Sequence, residues 1–209
     1  MELRHLTLTD FVQELGSNSP APGGGSVAAL AAAQSAALFA MVAELTAQSP
    51  KYTDVKEEME EMANELHALQ DHFLEEVDND ANSFNGVMAA FRMPKDTDEE
   101  KQARREKIQA EYKNAANVPY GVGTKAAELT KYAPILLEKG NTNAITDLGL
   151  GVHNLRMAVV GAFYNVKINL GSIKDQAYVE EKKSSMATIL AKVEEETRPI
   201  IQAVEEAIA

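Results

Sequence analysis

The 209-residue sequence contains no cysteine and no tryptophan, and aromatic residues make up only 6% of it. Without thiols there are no disulfides, no thiolate metal ligands and no Cys nucleophile, which suits a reducing compartment. Scarce aromatics beside abundant Ala, Glu, Leu, Lys and Met favour helices over sheets. Positive charge is also short: 20 Lys and Arg face 32 Asp and Glu, a formal net charge of −12. That balance repels a phosphate backbone and argues against nucleic acid as a partner. The apolar run from Val27 to Leu45 is broken by Gln34, Ser35 and Glu44, and MELRHLTLTDF has no apolar leader core. The expectation is a cytoplasmic protein without a membrane segment. Paired Glu-x-x-His motifs, a Walker loop, a dinucleotide fingerprint and G-x-S-x-G are all missing, so no metal site or permanently bound cofactor is expected. Proton transfer then falls to carboxylates, with carboxamides to orient a substrate.

What is present is one sizeable all-α domain spanning residues 1–209, expected as an antiparallel bundle of long helices. Its most distinctive stretch is PAPGGGSVAALAAAQSAALFAMVAE, Pro20 to Glu44. Gly23, Gly24 and Gly25 free the backbone for positive φ and close approach, and Ser26 is a good helix N-cap. The turn either simply starts a helix or offers its first amides to an anionic or hydrogen-bond-accepting ligand. Along the helix, Val27, Leu30, Ala31, Gln34, Leu38, Met41, Val42 and Leu45 share one side and Ser26, Ala29, Ala33, Ala36, Ala40 and Ala43 another. Two buried faces are expected, the alanine one permitting a close helix pair or a dimer through small residues. Glu44 reads as a rim residue.

A short helix is expected over Leu8–Leu15, capped by Thr7 or Thr9, with Phe11, Val12 and Leu15 inward. A long one runs from about Thr53 to Phe91 on apolar steps of four and three, through Phe73, Val77, Phe84, Met88 and Phe91. Asp80, three residues after Val77, points to the core side. An inward carboxylate is costly unless it is paired or in use, so Asp80 is either bonded to a neighbouring helix or part of a site. Asp78 and Asn82 read as its solvated shoulder. A charged helix follows from Pro94 to Pro119, capped by Asp96 or Thr97, whose Arg104 and Arg105 are candidates for a ligand carboxylate. A further helix is expected over Val122–Tyr132.

The helix from about Asn143 to Leu170 has an ordinary core face and an unusual opposite one. There Asp147, Gly151, Asn154, Ala158, Gly161, Asn165 and Asn169 fall in line. Two glycines cost about 0.5–1 kcal/mol each relative to Ala in a helix, so the stripe answers another need. It is either the floor of a pocket for a flat polar molecule or a close helix crossing joined by Asn hydrogen bonds. The last helix, Asp175 to Ile208, with Pro199 as a possible kink, reads as structural.

Ordered motifs cover nearly the whole chain: SPAPGGGSVAAL, MVAELT, D-x-DANSFNGVMAAFRMPK, ARREKIQAEYKNAANVP, NAITD and NVKINL. Together they resemble the cyclodeaminase/cyclohydrolase family of folate enzymes. The resemblance implies an all-α homodimer that acts on a tetrahydrofolate derivative. The activity expected from it is closure of 5-formimidoyltetrahydrofolate to 5,10-methenyltetrahydrofolate with loss of ammonia. Two alternatives stand beside it: hydrolysis of the methenyl compound to 10-formyltetrahydrofolate, and a helical dimerisation module without activity. A separate formiminotransferase is a further candidate partner. Transferred to this sequence, the resemblance gives Asp147 the proton transfers, with Asp80 assisting or holding the cationic amidine. Asn165 and Asn169 would bind the pterin. Arg104 and the Gly23–Ser26 helix start would receive glutamate carboxylates, and Asn143 completes the set.

Overall fold

The structure, a computed structural model, describes residues 2–209. Its seven α-helices are α1 (Leu8–Leu15), α2 (Gly24–Ala47), α3 (Lys56–Phe91), α4 (Asp98–Ala127), α5 (Ala133–Lys139), α6 (Ile145–Leu170) and α7 (Gln176–Ile208). No strand occurs among the described residues. α1, α4 and α7 start where side chains can take up orphan amides: Thr7 accepts from Asp10 N, Thr97 forms a capping box with Glu100, and Asp175 accepts from Tyr178 N.

Neighbouring long helices run antiparallel. Gly25 of α2 lies against Asp80 of α3 while Glu44 bonds His67, and Gly24 of α2 faces Asn165 of α6 while Ser35 bonds the Gly151 carbonyl. Likewise Phe91 meets Arg104 across α3 and α4, Ala115 meets Asn169 across α4 and α6, and Arg156 meets Glu194 across α6 and α7. α2 is therefore the central helix, flanked by α3 and α6. It is apolar enough to cross a bilayer, with mean hydropathy 1.8, yet 67% of that window is buried inside the bundle. The core it shares holds Phe39, Phe73, Phe163, Met59 and Leu66, all fully buried; burial of each such side chain contributes about 1.5–3 kcal/mol.

Several expectations need correction. The small-residue faces are used inside the chain: Ser26, Ala29, Ala33, Ala36, Ala40 and Ala43 are all buried, and a Cβ on Gly151 would overlap the Phe39 ring. The outward side of α2 instead carries larger apolar residues, with Met41 and Leu45 about two-fifths exposed (37% and 43%). On α1 only Phe11 is buried; Val12 is 63% exposed. Past Val77 the inward line of α3 continues through Asp80, Ser83, Val87 and Ala90, leaving Phe84, Met88 and Phe91 half-exposed. Asp78 is no solvated shoulder, because it accepts from the Leu3 amide and pairs with Arg4 to fix the N-terminal segment.

α4 is one helix running through Pro119 rather than two. Proline has no N–H for the carbonyl four residues earlier. The Ala115 carbonyl so released is taken by the side chain of Asn169 (3.0 Å).

Candidate functional site

Where α2 begins, α3, α4 and α6 enclose a cleft of about 360 Å³. Gly23, Gly24 and Gly25 form one wall, Asp80 and Phe84 another, Tyr112 and Ala115 a third, and Asn165, Ile168 and Asn169 the floor. Six of the ten residues expected at the site line this one cleft, although they come from three helices far apart in sequence.

The glycines act through size. None of those described has positive φ, and α2 starts at Gly24 with Gly23 as N-cap rather than Ser26. Gly23 has open space at the Cβ position, whereas a Cβ on Gly25 would overlap the Asp80 carboxylate. Ser26, fully buried in the first turn, donates its hydroxyl to Asp80 Oδ2 (3.1 Å). The anion at this helix start is thus the chain's own carboxylate, in the position where the helix dipole and free amides favour negative charge. Burial raises the pKa of Asp80 above the usual carboxylate value; hydrogen bonds from the Ser26 hydroxyl and amide pull it back without cancelling the rise, to which nearby Glu76 adds. A carboxyl group so placed can hold or release a proton closer to neutrality than an exposed one.

Asn165 and Asn169 are oriented by helix carbonyls. Asn165 Nδ2 donates to Gly161 O (2.9 Å), and Asn169 Nδ2 donates to Asn165 O (2.9 Å) and Ala115 O (3.0 Å). Both N–H groups of Asn169 and one of Asn165 are engaged, so each side chain offers its amide oxygen to a ligand as an acceptor, and Asn165 keeps one N–H as a donor. Beyond Tyr112 the wall continues as an edge-to-face contact with Phe91 (6.2 Å), on whose ring Arg104 stacks (5.5 Å) while it donates to the Phe91 carbonyl (3.0 Å). Arg104 therefore stands outside the cleft, tied to the end of α3.

Asp147 and Asn143 do not line this cleft. Asp147 is in the first turn of α6 and Asn165 near its end, a separation of about 27 Å at 1.5 Å per residue. Asn143 sits in the short turn before α6, its amide bonded to Asn141 Oδ1 (3.1 Å). Of the two expected carboxylates, Asp80 is the one that lines the cleft. Glu44 is at the rim, exposed and bonded to His67 (2.9 Å), whose pKa that bond raises. The sequence reading missed Tyr112, hidden in the charged run of α4, and the function of Pro119, whose spacing from Ala115 was its only signal.

Residues 7–188 match the family described as formiminotransferase-cyclodeaminase. The chain is 36% identical, over 88% of its length and 89% of the relative's, to a methenyltetrahydrofolate cyclohydrolase of Methylorubrum extorquens. It is 35% identical to the formimidoyltransferase-cyclodeaminase of Gallus gallus, of which it spans 36%. The crystal structure of a formiminotetrahydrofolate cyclodeaminase from Thermotoga maritima superposes with a TM-score of 0.80, at 27% identity and covering 99% of this chain and 97% of that one.

Proposed function

The chain belongs to the formiminotransferase-cyclodeaminase family, and from that premise we propose that its cleft closes 5-formimidoyltetrahydrofolate to 5,10-methenyltetrahydrofolate and releases ammonia. The observation that carries the proposal is Asp80, a carboxyl of raised pKa anchored by Ser26 between a glycine wall and two oriented carboxamides.

The reaction needs one proton moved a short way. N10 attacks the carbon of the protonated formimidoyl group and forms the new C–N bond. The tetrahedral adduct then carries a proton on N10 that must leave and an amino group that must gain one. Asp80 as carboxylate takes the N10 proton; as carboxylic acid it returns it to the amino nitrogen, whose bond to carbon breaks to release ammonia and the methenyl cation. Asp80 ends as it began. While ionised it also stabilises the cationic amidine on either side of the adduct. The amide oxygens of Asn165 and Asn169 accept from the amino and ring N–H groups of the pterin, and Phe84 and Tyr112 supply apolar and aromatic walls for the rest of the molecule. Arg104 at the outer edge is suited to the glutamate carboxylate.

A second reading is favoured by one observation, the 36% identity to a cyclohydrolase matched over 89% of its length. In that case water attacks the methenyl carbon, Asp80 takes its proton, and the same acid assists cleavage of the bond to N5. Purified protein supplied with 5-formimidoyltetrahydrofolate, with ammonia and methenyl absorbance followed together, separates the readings. Release of ammonia with methenyl accumulation supports cyclodeamination. Consumption of added methenyltetrahydrofolate faster than in buffer, without deamination, supports the hydrolase; inertness toward both overturns the enzymatic reading.

A further inference from the structure

The turn between α6 and α7 brings one more polar side chain to the cleft, that of Ser172. Its backbone is held from two directions. On the inner side, the Ser172 and Ile173 amides donate to the carbonyls of Asn169 (3.0 Å) and Leu170 (3.1 Å), and Ile173 is buried in the core. On the outer side, Gln109 of α4 uses both ends of its carboxamide: Nε2 donates to Ser172 O (3.0 Å) and Oε1 accepts from Lys174 N (2.8 Å). One turn along α4, Lys113 pairs with Asp175 (2.7 Å), whose side chain caps α7. A planar amide that gives one hydrogen bond and takes another grips a turn as a second peptide would. The Ser172 side chain has no share in this clamp. Among the described residues its hydroxyl makes no hydrogen bond, and its O–H is free for a ligand.

The neighbouring floor shows what such a hydroxyl supplies. Asn169 gives both N–H groups to Ala115 O and Asn165 O and presents only an acceptor. Asn165 presents its oxygen and one remaining N–H. Asp80, when ionised, accepts only. A pterin carries more than N–H groups: its ring carbonyl stands directly beside N3–H and needs a donor, since an acceptor left unpartnered on binding forfeits affinity. Asn169 and Ser172 are three residues apart, tied by the Ser172 N to Asn169 O bond, and both line the cleft. Their side chains offer an acceptor and a donor, the complement of that N–H and C=O pair.

We infer that Ser172 is a ligand-binding residue of the cleft, donating to the pterin ring carbonyl while Asn169 accepts from the adjacent N3–H, and that Gln109 is its positioning residue. Gln109 does not line the cleft; it acts through the turn, holding the Ser172 hydroxyl in place beside the floor. The inference deepens the folate reading above and rests on it. It holds for either reaction, because cyclodeamination and hydrolysis both leave the pterin carbonyl and N3–H unchanged.

Calorimetric binding of 5-formyltetrahydrofolate, a stable reduced folate, together with steady-state kinetics on the full chain, tests the arrangement. Ser172→Ala should weaken binding and raise KM about tenfold with a much smaller change in kcat, the size of one lost hydrogen bond. Ser172→Thr, which keeps a hydroxyl, should recover most of that loss. Gln109→Met should weaken binding about three- to fivefold alone, but less than about twofold in the Ser172→Ala background, because it acts through the hydroxyl already removed. Urea midpoints establish that each variant is folded; Gln109→Glu, which loses only the donor to Ser172 O, takes the place of Gln109→Met if that variant does not fold. A folded Ser172→Ala that binds as wild type overturns the inference alone. A Gln109 variant that costs its full factor in both backgrounds overturns the positioning role. Wild-type protein that binds no folate overturns the folate reading, and this inference with it.

Discussion

At the scale of single residues, the cleft is governed by the distance between Gly25 and Asp80. A Cβ on Gly25 would occupy the carboxylate's position, whereas one on Gly23 meets nothing within 4 Å. Gly25→Ala should therefore displace Asp80 and lower kcat by at least about tenfold, while Gly23→Ala stays within about twofold; steady-state kinetics of the pair checks this. Asp80 also sets a pH dependence. Its folded pKa is raised, chiefly by burial, so its contribution to stability is present below the unfolded value of about 3.9 and is lost as pH rises through the folded value. Asp80→Asn should consequently gain stability relative to wild type on going from pH 4 to pH 7, measured by urea midpoints. The inward direction of Asp80 was legible in its place three residues after Val77. Its partner was not, because Ser26 reads as a helix cap from sequence, and only the approach of α3 to α2 shows that it bonds a carboxylate.

At the scale of elements, α1 was legible where apolar periodicity and the Thr7 cap agreed, and α3 and α6, which have no side-chain cap, were legible from their periodicity alone. The reading failed where a tertiary contact overrode a local rule. Pro119 was taken as a helix end, but α4 passes through it because Asn169 bonds the carbonyl it leaves free. Pro119→Ala restores an amide that competes for Ala115 O and loosens Asn169. The expected result is a several-fold rise in KM with little change in kcat, which a full kinetic titration resolves. The glycines of α6 were read as pocket floor or close crossing, and Gly151 is the latter. Gly151→Ala forces its methyl against the buried Phe39 ring and should cost about 1–3 kcal/mol in a chemical denaturation curve.

At the scale of the whole molecule, an acidic antiparallel bundle gathers Gly23–Gly25, Asp80, Asn165 and Asn169 at one end and leaves Asp147 and Asn143 at the other. The sequence could align these residues with a family but could not say which share a cleft, since that depends on where each helix crosses its neighbour. It also placed the association surface on the small-residue faces, which the fold uses internally, while the large apolar residues Leu150, Met157, Tyr164 and Ile168 of α6 stay exposed. The claim on which the account depends is that the cleft around Asp80 performs folate one-carbon chemistry. Single-turnover ammonia release from 5-formimidoyltetrahydrofolate by wild type and Asp80→Asn, with folate binding measured on both, tests it most directly. The variant is expected to bind folate within a few-fold of wild type and to release ammonia at least about a hundredfold more slowly. Equal rates in a folded variant would contradict it.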